Sequence, residues 1–475
     1  MRTSLCPLRP WRCIALVAAL VAIGGCSGTA LPALKPPLPA QWRHALPAAA
    51  PVPTDLHGWW HAFGDAQLDA LVDAALGNNL DVAQAVERLR AARALRRQEP
   101  AQFLPELHAR TNDTIDPDAS ASFFVAGFDA TWELGLFGRR KATQRMAQGA
   151  LDDATADLHA AQVSLVAEVA REWLQLRAAS ERGQVLGAIR DARQRQFDLL
   201  RVRQRLQLTP ATAVDQAQAA LAQAQAALAE PREAADAAAQ RLAVLLGRSE
   251  PDPRWLQPAP PPALGALRID SAPADLLRAR PDIAKAQAAV LQAAGAAGLA
   301  RADRYPNIAL GGSLVWSTDI TSHRAHSVSR AIGSVGPILD IPLFDWGLRA
   351  AEADAKQHEL RASVLAYRQT VLQGVAEVET ALGTLASQRQ READCITAAQ
   401  ALQRVDDATG TRVALHLASP LERQDSTIAR DQATLALDEA RTARALAYVA
   451  LFKALGGGPL PEPATSASAA AEASR

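Results

Sequence analysis

A mainly α-helical chain with a small β part, built as an internal duplication, is what this sequence predicts, and three observations carry that prediction. Two stretches of about 70 residues, 139–207 and 347–417, contain no proline and are dominated by Ala, Leu, Gln and Arg, residues that lose little freedom in a helix. Four shorter segments alternate apolar and polar residues, the two-residue period of a strand. Five local matches recur in the same order about 200 residues apart.

The matches define the repeat. Leu80-Asp81-Val82-Ala83 returns as Pro281-Asp282-Ile283-Ala284, and Leu104-Pro105 as Tyr305-Pro306, both 201 residues later. Leu136-Phe137 matches Leu343-Phe344 at 207, Ala167-Glu168-Val169 matches Ala376-Glu377-Val378 at 209, and Thr209-Pro210 through Asp215 matches Ser419-Pro420 through Asp425 at 210. Chance could supply one such match; five in order imply a duplicated unit of about 200 residues.

From the N-terminus, Arg2, Arg9 and Arg12 precede the apolar run 14–23 and the small pair Gly24-Gly25, the pattern of a secretory signal over residues 1–25. Ten apolar residues are too few for a bilayer span of about 20, and no later window replaces them. Without the signal the chain holds 47 basic against 50 acidic groups, a formal charge of −3. That excludes the strongly basic character of a nucleic-acid binder. Residues 26–55, with Pro36, Pro37, Pro39, Pro47, Pro51 and Pro53, read as an extended tether. A Pro-rich linker at 251–272 then separates a first repeat, 56–250, from a second, 273–456. The Gly/Ala/Ser composition of 457–475 predicts a disordered tail.

Each repeat reads as a helical stretch (68–98 and 274–301), two strands, and two long helices. At 1.5 Å per residue the proline-free helices reach about 100 Å, and Val371, Val375, Val378, Leu382 and Leu385 step at coiled-coil spacing. The returning helices, 210–246 and 420–455, start with Thr209-Pro210 and Ser419-Pro420, an N-cap followed by proline at the first helical position. The strands are 107–113, 122–134, 307–318 and 330–343, each near the 9 to 11 residues that cross a tilted bilayer path. In the second, Phe124, Ala126, Phe128, Ala130 and Trp132 oppose Gly127, Asp129, Thr131 and Glu133; in the third, Ile308, Leu310, Leu314 and Trp316 oppose Ala309, Gly311, Ser313 and Ser317. One face suits lipid and the other water. A soluble sheet with one buried face shows the same alternation, but four strands bury little and cannot close. Two copies would supply eight strands and three would supply twelve, and only the wider barrel leaves room for a solute path.

Trp59-Trp60-His61-Ala62-Phe63-Gly64-Asp65 with the following Ala66 to Leu71, then Gly77-Asn78-Asn79-Leu80-Asp81, Arg280-Pro281-Asp282-Ile283 and the duplication itself together resemble the outer membrane efflux proteins of the TolC and OprM type, in the lipoprotein branch called the NodT family. The resemblance implies four transmembrane β-strands contributed to a shared trimeric 12-stranded β-barrel, continued by long α-helical hairpins into a periplasmic α-barrel. It implies a homotrimer in the outer membrane that meets a periplasmic adaptor and an inner membrane transporter and conducts drugs or other toxic small solutes outward. Ile23-Gly24-Gly25-Cys26 resembles the bacterial lipobox, which would make Cys26 the lipid attachment site, with Ser27 after it as a sorting signal for the outer membrane. An ordinary signal peptide containing a cysteine is the alternative. By the same resemblance, Glu422 and Asp425 are periplasmic gate residues: their i, i+3 spacing puts both carboxylates on one helix face, and three copies would gather them in a ring. Ser419 with Glu422 also spells a capping box, a structural reason for Glu422.

No catalytic, cofactor or metal site is expected. His57 and His61 flank the paired tryptophans, where packing accounts for them, and His323 with His326 lacks a third ligand. Asp152-Asp153 and Asp406-Asp407 read as wet helix surface, and Cys395 as a small packing residue. The competing function is a lipid-anchored structural or adaptor protein that bridges the periplasm without a pore.

Overall fold

The computed structural model describes residues 31–34, 41–44, 55–114, 123–265, 279–319 and 330–459. The expected signal peptide, Cys26, most of the tether, His323 and His326 lie outside the described residues. In chain order the elements are α1 (Ala66–Asn78), α2 (Leu80–Gln98), β1 (Glu106–Thr114), β2 (Phe123–Glu133), α3 (Arg139–Arg205), α4 (Ala211–Ala226), α5 (Ala229–Leu245), α6 (Pro281–Ala302), β3 (Asn307–Asp319), β4 (Arg330–Asp340), α7 (Leu348–Ala414) and α8 (Pro420–Ala454), with short 3₁₀ turns at Trp59–Phe63, Glu99–Phe103 and Pro253–Leu256. None of the described helices is long and apolar enough to cross a membrane.

Three helical predictions need correction, each for a local reason. The stretch 68–98 is two helices, because Asn79 leaves helical geometry and its Oδ1 accepts the backbone N–H groups of Asp81 and Val82, an N-cap in mid-segment. The stretch 210–246 divides at Ala227 and Leu228, four and three residues before Pro231. A proline cannot donate to the carbonyl four residues back and its ring crowds that carbonyl. Thr209 does not cap α4: Pro210 holds the cap position without a side-chain hydrogen bond, whereas Ser419 caps α8 as expected.

The chain divides into two compact units. The first holds the sheet, the end of α2, most of α6 and the adjoining parts of α3 and α7. Its four strands lie in the order β1-β2-β3-β4, antiparallel throughout. Pro337 stands in β4, the last strand of this sheet. Beside the sheet, α3 and α6 approach closely: a Cβ on Gly149 would lie 2.6 Å from Gln292 Cγ and 2.9 Å from the Ala288 carbonyl.

The second unit is helical, and its core joins residues almost 400 positions apart. Trp59 is fully buried, stacked on Phe452 at 5.6 Å and edge-on to Tyr448 at 5.9 Å. Its indole N–H donates to the Gly457 carbonyl (3.2 Å), while the Tyr448 hydroxyl donates to the Trp59 carbonyl (3.0 Å). His57 Nδ1 meets the Gly458 carbonyl at 2.8 Å. Gly457 and Gly458 are therefore packed, and the ordered second repeat runs beyond residue 456, where composition placed the start of a tail. On α7, Val371, Val378, Leu382 and Leu385 are buried, the stripe that their spacing predicts.

The duplication is visible in the backbone. Phe137 and Trp346 both adopt left-handed φ (55° and 57°), as do Gly138 and Gly347 (87° and 83°) and Gln207 and His416 (59° and 57°). All three pairs are 209 apart, so Phe137 corresponds to Trp346; the sequence match of Leu136-Phe137 with Leu343-Phe344 at 207 is two residues out of phase with the fold.

Candidate functional site

Strand pairing gives the sheet two distinct faces. Phe128 lies opposite Leu314, Ala126 opposite Trp316 and Trp132 opposite Leu310, and the Phe128 and Trp316 rings meet edge-on at 6.3 Å. Phe124, Phe128, Trp132, Leu310, Leu314 and Trp316 nevertheless stay 38–45% exposed. A soluble sheet would cover such a face. On the other side, Arg110 bridges Asp129 at 3.4 Å, His108 meets Glu106 at 3.3 Å, and the Ser313 and Ser334 hydroxyls are 2.8 Å apart. Ile338 also lies on this side, folded over Gly311, where a Cβ would come within 2.5 Å of its Cδ1.

The turn between α7 and α8 carries the two acids singled out by sequence. The Ser419 Oγ accepts the Glu422 backbone N–H (3.1 Å), and Glu422 Oε1 accepts the Ser419 backbone N–H (3.2 Å), so the capping box is complete. That backbone hydrogen bond, with Arg412 nearby, holds the Glu422 carboxyl below the ordinary glutamate range. Asp425, also exposed, accepts a hydrogen bond from Gln196 Nε2 of α3 at 2.9 Å, and the adjacent Gln424 Oε1 accepts from Arg195 Nε at 3.0 Å. The two polar bonds tie α8 to α3 beside a small apolar cluster of Ile189, Ala192 and Ile428.

Between the two acids, Arg423 has a role that sequence reading missed. It donates to Asp406 of α7, which also accepts from Arg430 Nη1 (2.9 Å), Ser426 Oγ (2.7 Å) and Thr427 Oγ1 (3.1 Å). Asp406 is fully buried, so its assignment to wet helix surface is wrong, whereas its neighbour Asp407 is exposed. The signal was present in part: Arg423 and Arg430 are seven apart, two turns of one helix face, and that face needed an acid opposite. A Cβ on Gly410 would lie 3.3 Å from the Arg423 guanidinium, so the helix is kept narrow where the arginine crosses it.

A sheet with one lipid-suited face and one polar face, in a chain that also holds two helices of 67 residues, defines an outer membrane channel subunit. The comparisons specify it further: the family model described as outer membrane efflux protein matches residues 71–248 and 272–457, and the chain belongs to that family. It is similar to the pyoverdine export outer membrane protein OpmQ of Pseudomonas aeruginosa, with 31% identity over 473 residues that cover 94% of this chain and 96% of that one. It is also similar to the outer membrane protein OprJ of the same organism, with 30% identity over 446 residues covering 89% and 90%. The solved structure of the outer-membrane channel OprN superposes with a TM-score of 0.78 at 28% identity, over 92% of this chain and 100% of that one. The protein is accordingly an outer membrane efflux channel, the outer component of a tripartite efflux system.

Proposed function

We propose that three copies of this chain close one twelve-stranded barrel and one helical tunnel. Solutes would pass through it passively from an inner membrane transporter and a periplasmic adaptor to the exterior. The observation that carries this reading is the sheet of four antiparallel strands whose outer strands, β1 and β4, each have a partner on one side only among the described residues. An open edge in lipid leaves backbone groups unpaired at several kcal/mol each, and closed membrane barrels need about eight strands or more. Two copies would supply eight, a barrel filled by its own side chains; three leave a lumen. Purified protein is expected to form trimers that conduct ions in planar bilayers. Single copies that pass no current would instead favour a lipid-anchored bridging protein.

At the α7–α8 turn, Asp425 is the principal gate residue and Glu422 its companion, six carboxylates in the trimer that attract cations and repel anions. The Gln196 bond to Asp425 supports a closed position in which α8 is held to α3. Asp425→Ala should raise single-channel conductance and weaken block by multivalent cations; unchanged conductance and block would remove Asp425 from this role. Cys26 would carry the lipid, and Cys26→Ala should abolish acyl labelling. Relatives of similar identity bear names that refer to pyoverdine, to antibiotics and to cations. That spread supports a wide lumen whose cargo the transporter selects.

A further inference from the structure

We propose how one copy meets the next: β4 pairs with the neighbour's β1 in the register that sets Asp340 opposite Arg110, and Trp346 seats against the neighbour's Leu104. The proposal rests on the shared-barrel reading above and adds the contacts that close it. It comes from a seam the chain already contains. Where its two halves join, β2 pairs with β3, Phe137 stacks on Tyr305 (5.2 Å, 12° between planes), and Arg139 forms an ion pair with Asp303. If the halves are equivalent, the end of the second half should meet the start of the next copy's first half in the same way.

The offsets are set by structure. Moving the observed pair Glu106↔Thr131 by 201 on β1 and 209 on β2 gives Asn307↔Asp340, and that is the pair found between β3 and β4. The same two offsets turn the seam pair Thr131↔Gly311 into Asp340 and the neighbour's Arg110, and Trp132↔Leu310 into Ile341 and Ala109. Phe137 on Tyr305 becomes Trp346 on Leu104.

Side chains at the mapped positions changed in concert. Asp340 and Arg110 have opposite charge and fall on the polar face, where Arg110 would bridge its own Asp129 and the incoming Asp340. Trp346 is 90% exposed and Leu104 58%, whereas their counterparts Phe137 and Tyr305 stack on each other and Tyr305 is 42% exposed. The Arg139–Asp303 pair maps to Leu348 and Gln102, so both charges disappear together. Between helices, small Gly149 against larger Gln292 maps to larger His358 against small Ala91, both exposed in one copy. Bulk has exchanged sides and the fit is kept. A head-to-tail contact of this kind repeats around a closed ring.

The test uses full-length protein with Cys395→Ala. The Leu134 N–H bond to the Ile308 carbonyl makes Thr131↔Gly311 a non-hydrogen-bonded pair. Its mapped counterpart should therefore bring Cα atoms to about 4.5 Å, within disulfide reach. Asp340→Cys with Arg110→Cys is expected to give dimer and trimer bands on non-reducing gels after mild oxidation. Asp340→Cys with His108→Cys or with Asn112→Cys, two residues along the same face, should give few. Preferential cross-linking of either shifted pair would overturn the register while leaving the trimer intact. No cross-link from any pair, with native mass still showing three copies, would overturn the β4–β1 pairing itself. Native mass showing single copies would instead sink the shared barrel. As a second readout, Asp340→Arg should lower the detergent-resistant trimer fraction and added Arg110→Asp should restore it; absence of rescue counts against the pair.

Discussion

Removing the Asp406 carboxylate is the most informative perturbation of the hairpin end, because one buried acid there holds two arginines and two hydroxyls of the facing helix. Breaking a buried ion pair from one side costs about 3–5 kcal/mol, since the remaining charge loses its partner. In this case the side chains of Arg423 and Arg430 are 32% and 28% exposed, and Arg430 keeps Asp431 at 2.6 Å. Solvent and Asp431 recover part of the loss, so Asp406→Ala should destabilise the α7–α8 pairing by about 2–3 kcal/mol. Native-state hydrogen exchange reads local opening directly. Amides near residues 400–430 should exchange roughly 30- to 150-fold faster in Asp406→Ala, at about 1.4 kcal/mol per tenfold. In Asp425→Ala, which severs only the exposed Gln196 bond, they should change little. Exchange within twofold of the native rate in Asp406→Ala would refute the account of the hairpin end as a structure locked by one buried acid.

Two further predictions concern the second unit. Asp438 of α8 lies beside cavities of about 680 and 520 Å³; its Oδ2 is buried without a hydrogen-bond partner among the described residues, and burial followed by repulsion from Glu181 raises its pKa. A raised folded-state pKa means that the fold gains stability as pH falls through it, so Asp438→Asn should be more stable than the native protein at pH 7.5 by about 1 kcal/mol. That advantage should shrink as the pH is lowered and the Asp438 carboxylate takes up a proton, and a pH-independent difference in thermal midpoint would contradict the assignment. Trp59→Ala should cost roughly 3–5 kcal/mol and free the segment around Gly457 and Gly458, seen as faster proteolysis after α8; a cost below about 1 kcal/mol would show that the ring cluster is not what holds the two ends of the chain together.

What could be read from sequence divides along a physical line. The long helices were legible because a proline-free, alanine-rich segment has no competitive alternative, and α3 and α7 end within three residues of the expected positions. The break at Ala227 was not, because Pro231 acts on the turn before itself. The two-faced strands followed from alternation, whereas β4 ends at Asp340, short of the predicted 343, since β3 offers it no partner beyond Asn307. Capping by Glu422 was legible because every participant lies within four residues. Asp406 was not: an aspartate on a helix looks the same whether water or two arginines face it, and only the pairing of α7 with α8 decides.

The two halves of the chain are informative where they differ as much as where they agree. Some positions that pack within one copy keep the same residue in both halves, as Val169 with Val378 and Leu176 with Leu385, all buried. Positions that change type together are instead those whose counterparts form the internal seam: Phe137 with Tyr305 against Trp346 with Leu104, and Arg139 with Asp303 against Leu348 with Gln102. A chain folding alone has no reason to hold Trp346 90% exposed or to keep Leu343 and Phe344 exposed beside it. The apolar corner is understandable only as one half of a contact. Its other half must have the shape and polarity that the start of the first repeat offers.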